Sequence, residues 1–89
     1  MKHIMFTIYD NKAEAFLPPF TLPNHAMAAR TFADCVRDPQ HAFSRNPSDY
    51  NLFELGSFDD VTGEMLPIVL KNHGLGTAYL NPSLDEVQS

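Results

Sequence analysis

The densest group of carboxylates in the chain is Asp59, Asp60 and Glu64, a set that could bind a divalent cation. Calcium loops place oxygen ligands at alternating positions and end in a distant glutamate, and this spacing differs from that pattern. Asp59 and Gly63 are instead typical of a hairpin connection, in which the aspartate closes an Asx turn and the glycine takes a positive φ. We therefore interpret residues 59–64 as a solvated turn and predict no metal site there.

Four histidines and one cysteine are the other side chains that could bind a metal or act as nucleophiles. His3, His25, His41 and His73 are scattered along the chain, and none has the short spacing of a zinc site. Cys35 falls on the apolar stripe of a predicted helix, where a thiol behaves as a small hydrophobic side chain. The sequence also has no glycine-rich phosphate loop. We predict no enzymatic activity and no cofactor.

Single-stranded nucleic-acid binding is a third kind of chemistry, and it combines scattered cations with aromatic rings on which bases stack. The first half of the chain supplies both types of residue. The candidate residues are Lys12, Arg30, Arg37, Arg45, Tyr9, Phe43 and Tyr50, near further rings at Phe16 and Phe20. The alternative is that the rings are core or dimer contacts and the cations are ordinary solvated side chains.

The charge is distributed unevenly along the chain, whose net charge is −5. Residues 1–45 carry five Lys and Arg against four Asp and Glu, a net charge of +1. Residues 46–89 carry one Lys against seven Asp and Glu, a net charge of −6. Because cations supply the affinity for phosphate backbones, an anionic partner should contact the first half. The second half would repel that partner or would contact a basic one.

Length and composition indicate one small domain. The chain has 89 residues, of which 44% are hydrophobic and 19% charged, as in a folded globule. We predict a single domain over residues 1–82 and a loose acidic tail over residues 83–89. The single cysteine favours a reducing cytoplasm, and no apolar run approaches the roughly 18 residues that span a bilayer.

In the first half, residues 3–9 alternate in polarity and predict a strand with Ile4, Phe6 and Ile8 on one face. Residues 11–23 contain Pro18-Pro19 and predict a largely extended connection. Asn24 is a good N-cap for a helix over residues 25–37. The helix stripe expected to face the sheet is Ala28, Ala29, Phe32, Cys35 and Val36, with Arg30, Thr31, Asp34 and Arg37 opposite it.

In the second half of the chain, the sequence pattern predicts a turn at Asn46–Asp49. A strand over residues 51–58, with Phe53 and Leu55 on one face, and a returning strand over residues 65–70 are expected after it. Pro67 cannot donate to a ladder, so this strand lies at an edge of the sheet or is locally interrupted. A turn at Asn72–Gly74 and a short last strand over residues 75–80 would follow. The expected fold is α+β: a mostly antiparallel sheet of three or four strands with one helix packed on one face, in the order β-loop-α-β-β(-β).

Apolar residues in 16–22 and 43–58 exceed what one helix and a small sheet easily cover. Burial of this surplus between two copies would remove it from water. We therefore expect a homo-oligomer, most simply a two-fold dimer.

Four segments of the chain resemble one known family. They are Ile8–Phe16 with Pro19-Phe20, Ala29–Asp34 with Asp38-Pro39, Asn46–Asp60, and Thr62-Gly63. The strings Tyr-Asp-x-Lys-Ala and Leu-Phe-x-Leu-Gly-x-Phe-Asp are fairly specific in combination. Together these segments, within residues 4–70, resemble the small nonstructural protein of gokushovirus-type microviruses, which are single-stranded DNA phages.

The resemblance implies a nonstructural, sometimes DNA-binding, protein of the host bacterial cytoplasm. Such a protein would help move infection from duplex replication to single-strand synthesis and packaging, and the resemblance carries no catalytic residues. Two hypotheses follow. The protein binds single-stranded DNA through residues 1–45, or it is an acidic regulator that binds a phage replication or procapsid protein without contacting DNA.

Overall fold

The computed structural model describes residues 1–80, so the tail predicted over residues 83–89 lies outside the described residues. One antiparallel sheet and one main helix make up the described part, which confirms the predicted α+β class. The strands are β1 (Lys2–Asp10), β2 (Ala15–Phe16), β3 (Phe20–Leu22), β4 (Tyr50–Asp59) and β5 (Met65–Leu75). The helices are α1 (His25–Arg37) and α2 (Ala42–Arg45), with 3₁₀ helices at Pro47–Asp49 and Gly76–Tyr79.

The segment over residues 11–23 belongs to the sheet, and the prediction of an extended connection was wrong in this respect. The strand order is β2-β1-β4-β5, and β3 also pairs with β1, so that β2 and β3 share one side of β1. Between them, Thr7 Oγ1 donates to the Leu17 carbonyl oxygen at 2.6 Å and the Leu17 amide donates to the Ile8 carbonyl at 2.8 Å. The two prolines therefore interrupt the pairing without ending it.

The hairpin between β4 and β5 has the predicted turn. Asp59 Oδ1 accepts a hydrogen bond from the Val61 amide at 2.9 Å, and Gly63 adopts a φ of 77°. Pro67 lies opposite Gly56 on β5, which ends the strand order as predicted from its missing amide donor.

The end of β5 differs from the prediction. The expected turn at Asn72–Gly74 lies inside β5, where the Asn72 side chain accepts from the Gly74 amide at 2.8 Å. The expected last strand over residues 75–80 is a 3₁₀ helix, in which Tyr79 is buried against the core and donates its hydroxyl to the His73 carbonyl at 2.7 Å. Packing of this ring onto α1 therefore replaces a further strand pairing.

Helix α1 has the predicted bounds. Asn24 Oδ1 accepts from the Met27 amide at 2.9 Å, which caps its N-terminus, and the helix ends at Arg37 before Asp38-Pro39. The buried core consists of Phe6, Ile8, Ala28, Phe32, Ala33, Val36, Leu52 and Tyr79. Ile4 and Ala29 pack against this core, as predicted, whereas Cys35 is only half-buried at its margin.

Strand β4 turns Leu52 toward α1, so Phe53 lies on the other face of the sheet, because successive strand residues alternate. Most of the apolar residues expected to drive dimerisation are also used inside one chain. Leu17, Phe20, Leu22, Phe43 and Tyr50 all pack against the core. The surplus that the sequence indicated at residues 16–22 and 43–58 is therefore largely covered in the monomer.

The first residues of β1 are tied to the hairpin by charge. The Met1 ammonium donates to Asp60 Oδ1 at 2.7 Å, and His3 Nε2 lies 2.8 Å from Asp60 Oδ2. The hydrogen bond from the ammonium, and then that from His3, lower the pKa of Asp60 below its usual value. Because the folded-state pKa is depressed, Asp60 adds stability above its unfolded pKa of about 4, and that stability is lost as the pH falls through the folded-state pKa.

Thermal melts between pH 6 and pH 2 should therefore show a loss of stability below about pH 4 that depends partly on Asp60. In Asp60→Asn, the melting temperature should be lower at pH 6 and should change less between pH 4 and pH 2. Asp34→Asn, at an exposed position of α1, is the control. An Asp60→Asn curve parallel to the wild-type curve would contradict the assignment.

Candidate nucleic-acid interface

The predicted aromatic residues lie on both faces of the sheet. Tyr9 of β1 is on the face away from α1, which we call the open face, because its neighbour Ile8 is in the core. Tyr50 of β4 packs with Phe43 on the helix side, with ring centroids 4.3 Å apart. The predicted rings therefore do not form one continuous platform.

On the open face, three rings form what we call the open-face cluster: Tyr9, Phe16 and Phe53. Their centroids are 4.7 Å apart for Tyr9 and Phe16, 5.7 Å for Phe16 and Phe53, and 6.4 Å for Tyr9 and Phe53. The pairing of Tyr9 with Phe16 across β1 and β2 creates this contact. Phe16 is 49% exposed, so one side of the cluster faces solvent.

The helix-side rings serve packing. Phe43 contacts Phe32 at a centroid distance of 5.8 Å and His41 at 4.4 Å, and His41 Nδ1 caps α2 by accepting from the Phe43 amide. Phe43 and Tyr50 are half-buried against the core. Their arrangement agrees with the alternative that these rings are core contacts.

Two of the four predicted cations, Lys12 and Arg45, belong to segments at the end of the sheet where β1 ends and β4 begins. Lys12 is exposed in the turn after β1, and Arg45 is the exposed last residue of α2, shortly before β4 begins. The Asn11 amide donates to the Asp49 carbonyl at 2.8 Å, which ties this turn to the 3₁₀ helix after α2. We call this end of the sheet the aromatic end.

The two arginines of α1 have different environments, contrary to the expectation that both project from its polar side. Arg30 is exposed, whereas Arg37 is half-buried and its Nε donates to the Tyr79 carbonyl at 2.8 Å. Arg37 therefore links α1 to the last 3₁₀ helix. The sequence could not indicate this link, because Tyr79 was expected in a strand.

An apolar cavity of about 320 Å³ lies between α1 and the segment joining β2 to β3. Its wall includes Leu17, Phe20, Phe32 and the thiol of Cys35. Burial, and then the nearby carboxylate of Asp34, raise the pKa of Cys35, so the thiol is protonated at neutral pH. This environment agrees with the prediction that Cys35 acts as a small hydrophobic side chain.

A family of known proteins matches this chain over residues 3–74: the Phage ORF5 protein family. The chain belongs to the Phage ORF5 protein family. The match runs from β1 almost to the end of β5, and so includes the open-face cluster and both helices. No curated protein and no solved structure matches the chain.

In this Phage ORF5 protein, the fold brings together two histidines that are 48 positions apart in the sequence. His25 stacks on His73 with ring centroids 4.1 Å apart, and His73 Nε2 lies 2.9 Å from Glu54 Oε1. Burial, and then the charge of His73, lower the pKa of His25. The sequence did not indicate this cluster, because its pattern predicts a turn at His73, where β5 continues.

Neither a metal centre nor a membrane span is found in the described part of this phage protein. Among residues 1–80, no three His, Cys, Asp or Glu side chains are grouped closely enough to hold a metal ion. Within the same residues, no helix has both the length and the apolar character needed to cross a bilayer.

Proposed function

We propose that this phage protein is a non-enzymatic accessory protein that binds single-stranded DNA through the aromatic end of its sheet. In this role it would assist the switch from duplex replication to single-strand synthesis and packaging in the host cytoplasm, as its resemblance to the gokushovirus nonstructural protein suggests. The observation that carries the proposal is the cluster of Tyr9, Phe16 and Phe53 on a sheet face that α1 leaves open.

Base stacking supplies the main attraction in this proposal. A base stacked on an aromatic side chain contributes about 1–3 kcal/mol, and every base has a π-face, so the binding has no sequence preference. Lys12 and Arg45 belong to segments at the same end of the sheet and would supply the phosphate contacts. A net charge of −5 keeps the affinity modest, and each phosphate contact made by a cation lowers the affinity as salt is added.

Phe16→Ala should weaken binding of a labelled oligothymidine by about tenfold, because the loss of one stacking surface costs about 1–3 kcal/mol. Fluorescence anisotropy over a range of salt concentrations measures this change. Phe16 is exposed and belongs to a two-residue strand, so the fold should tolerate the substitution. The matched control is Met27→Ala, which removes an exposed apolar side chain from α1.

The same titration tests the cations. Lys12→Gln should lower the salt slope by about 0.7, the contribution of one phosphate contact to a single strand, whereas Lys2→Gln at the opposite end of β1 should not. Equal binding by Phe16→Ala and Met27→Ala would contradict the role of the cluster. The absence of wild-type binding at physiological salt would contradict DNA binding altogether.

A second function, regulation by protein contact without DNA, is favoured by the charge distribution. Residues 46–89 carry a net charge of −6, which suits a basic surface on a phage replication or procapsid protein. A pull-down from infected cells, with and without nuclease, separates the two functions. Capture of a phage protein that resists nuclease supports regulation, whereas its loss on nuclease treatment supports DNA binding.

A further inference from the structure

The outer edge of the sheet carries an apolar segment with no charged residue, Met65–Leu70 of β5. β5 ends the strand order, so within residues 1–80 no strand pairs with its outer side. Every residue of this segment is exposed. Edge strands of soluble proteins usually carry charges, prolines or bulges that prevent a continuous backbone pairing. This segment contains Pro67 and a bulge but no charge, so its apolar side chains, and not a backbone ladder, are what it offers to a partner.

The exposure arises from the register of β4 and β5. Gly56 pairs with Pro67 and Glu54 pairs with Lys71, so Leu55 alone lies opposite Ile68, Val69 and Leu70. The longer side must bulge outward, and Val69 is 92% exposed as a result. The bulge therefore exposes apolar side chains that do not pack against the core of the same chain.

We infer that Met65–Leu70 is the interface at which two copies of this protein form an antiparallel, two-fold dimer. The charges at the two ends of the segment support a second copy as the partner. Glu64 precedes the segment and Lys71 follows it. An antiparallel alignment brings each Glu64 close to Lys71 of the partner subunit, whereas a parallel alignment would bring like charges together.

The area that this contact could bury reaches the minimum for a biological interface. The five large side chains of the segment, Met65, Leu66, Ile68, Val69 and Leu70, are between 43% and 92% exposed. They present roughly 500 Å² per chain, so two copies could bury at most about 1,000 Å², the size of a weak dimer interface. The dimer would also double the number of cations available for DNA. Its formation does not depend on DNA binding.

Sedimentation of the 89-residue protein at about 50 µM should give twice the chain mass, because an interface with a micromolar dissociation constant is mostly dimeric at this concentration. Val69→Lys should weaken the dimer at least about tenfold, because each dimer would place two charges in an apolar contact. Val61→Lys is the matched control, since Val61 is 81% exposed but lies in the turn before β5. Circular dichroism should show that both variants remain folded.

The charge arrangement has its own test. Glu64→Lys alone and Lys71→Glu alone should each weaken the dimer, and the double substitution should restore it. A wild-type monomer at this concentration would overturn the proposal, as would a Val69→Lys variant that dimerises like wild type. Failure of the double substitution to restore the dimer would overturn the antiparallel arrangement.

Discussion

Replacement of Phe32 by alanine is expected to remove a large part of the protein's folding stability. Phe32 is 2% exposed, and its ring contacts Tyr79 at a centroid distance of 5.0 Å and Phe43 at 5.8 Å. Truncation of such an aromatic costs about 3–5 kcal/mol, since the structure relaxes only partly around the cavity. Small domains have a total stability of about 5–15 kcal/mol, so this loss removes a large part of it.

Thermal and urea denaturation followed by circular dichroism measure this loss. In a domain of this size, 3 kcal/mol corresponds to a decrease of roughly 12 °C or more in melting temperature. Thr31→Ala, at the neighbouring exposed position of α1, is the control for changes in helix propensity. Melting of Phe32→Ala within a few degrees of Thr31→Ala would contradict the packing of α1 on the sheet.

The second large effect is expected from Gly56→Ala. A Cβ atom at Gly56 would lie 2.3 Å from the Leu66 carbonyl oxygen and 2.9 Å from the Pro67 Cα. Both atoms belong to the backbone of β5, which cannot move aside without breaking its pairing with β4. Overpacking of this kind costs about 1–3 kcal/mol or more.

Urea denaturation measures the stability of this variant, and hydrogen exchange of the β5 amides locates the damage. Gly63→Ala is the matched control, because Gly63 also has a positive φ but has no atom within 4 Å of the added Cβ. It should therefore lose only the conformational preference of glycine, about 1–2 kcal/mol. Equal losses in the two variants, with β5 exchange unchanged, would exclude the backbone clash.

Three of the five residues of the candidate site, Tyr9, Lys12 and Arg45, were predicted from the sequence, and Phe16 was noted as a nearby ring. Phe53 completes the open-face cluster, but only its place on a strand was predicted. Its contact with Phe16 depends on β2, a strand of two residues whose pattern is too short to be recognised.

The sequence by itself determined the elements that depend on neighbouring residues. Asn24 and the apolar stripe of α1 determine where this helix begins and which face it buries, because capping and helical periodicity act within a few positions. Asp59 and Gly63 set the hairpin turn for the same reason. Pro67 indicated an edge strand, since a missing amide donor disfavours the middle of any sheet.

Only the tertiary structure decided the contacts between residues far apart in the chain. The carbonyl of Tyr79 accepts a hydrogen bond from Arg37, whose side chain was expected in solvent from the helical periodicity alone. The outward bulge of β5 depends on its register with β4, and the contact between His73 and Glu54 depends on the same register. Register is chosen by the packing of the whole sheet against α1, because a shift of one residue moves every side chain of a strand to the other face.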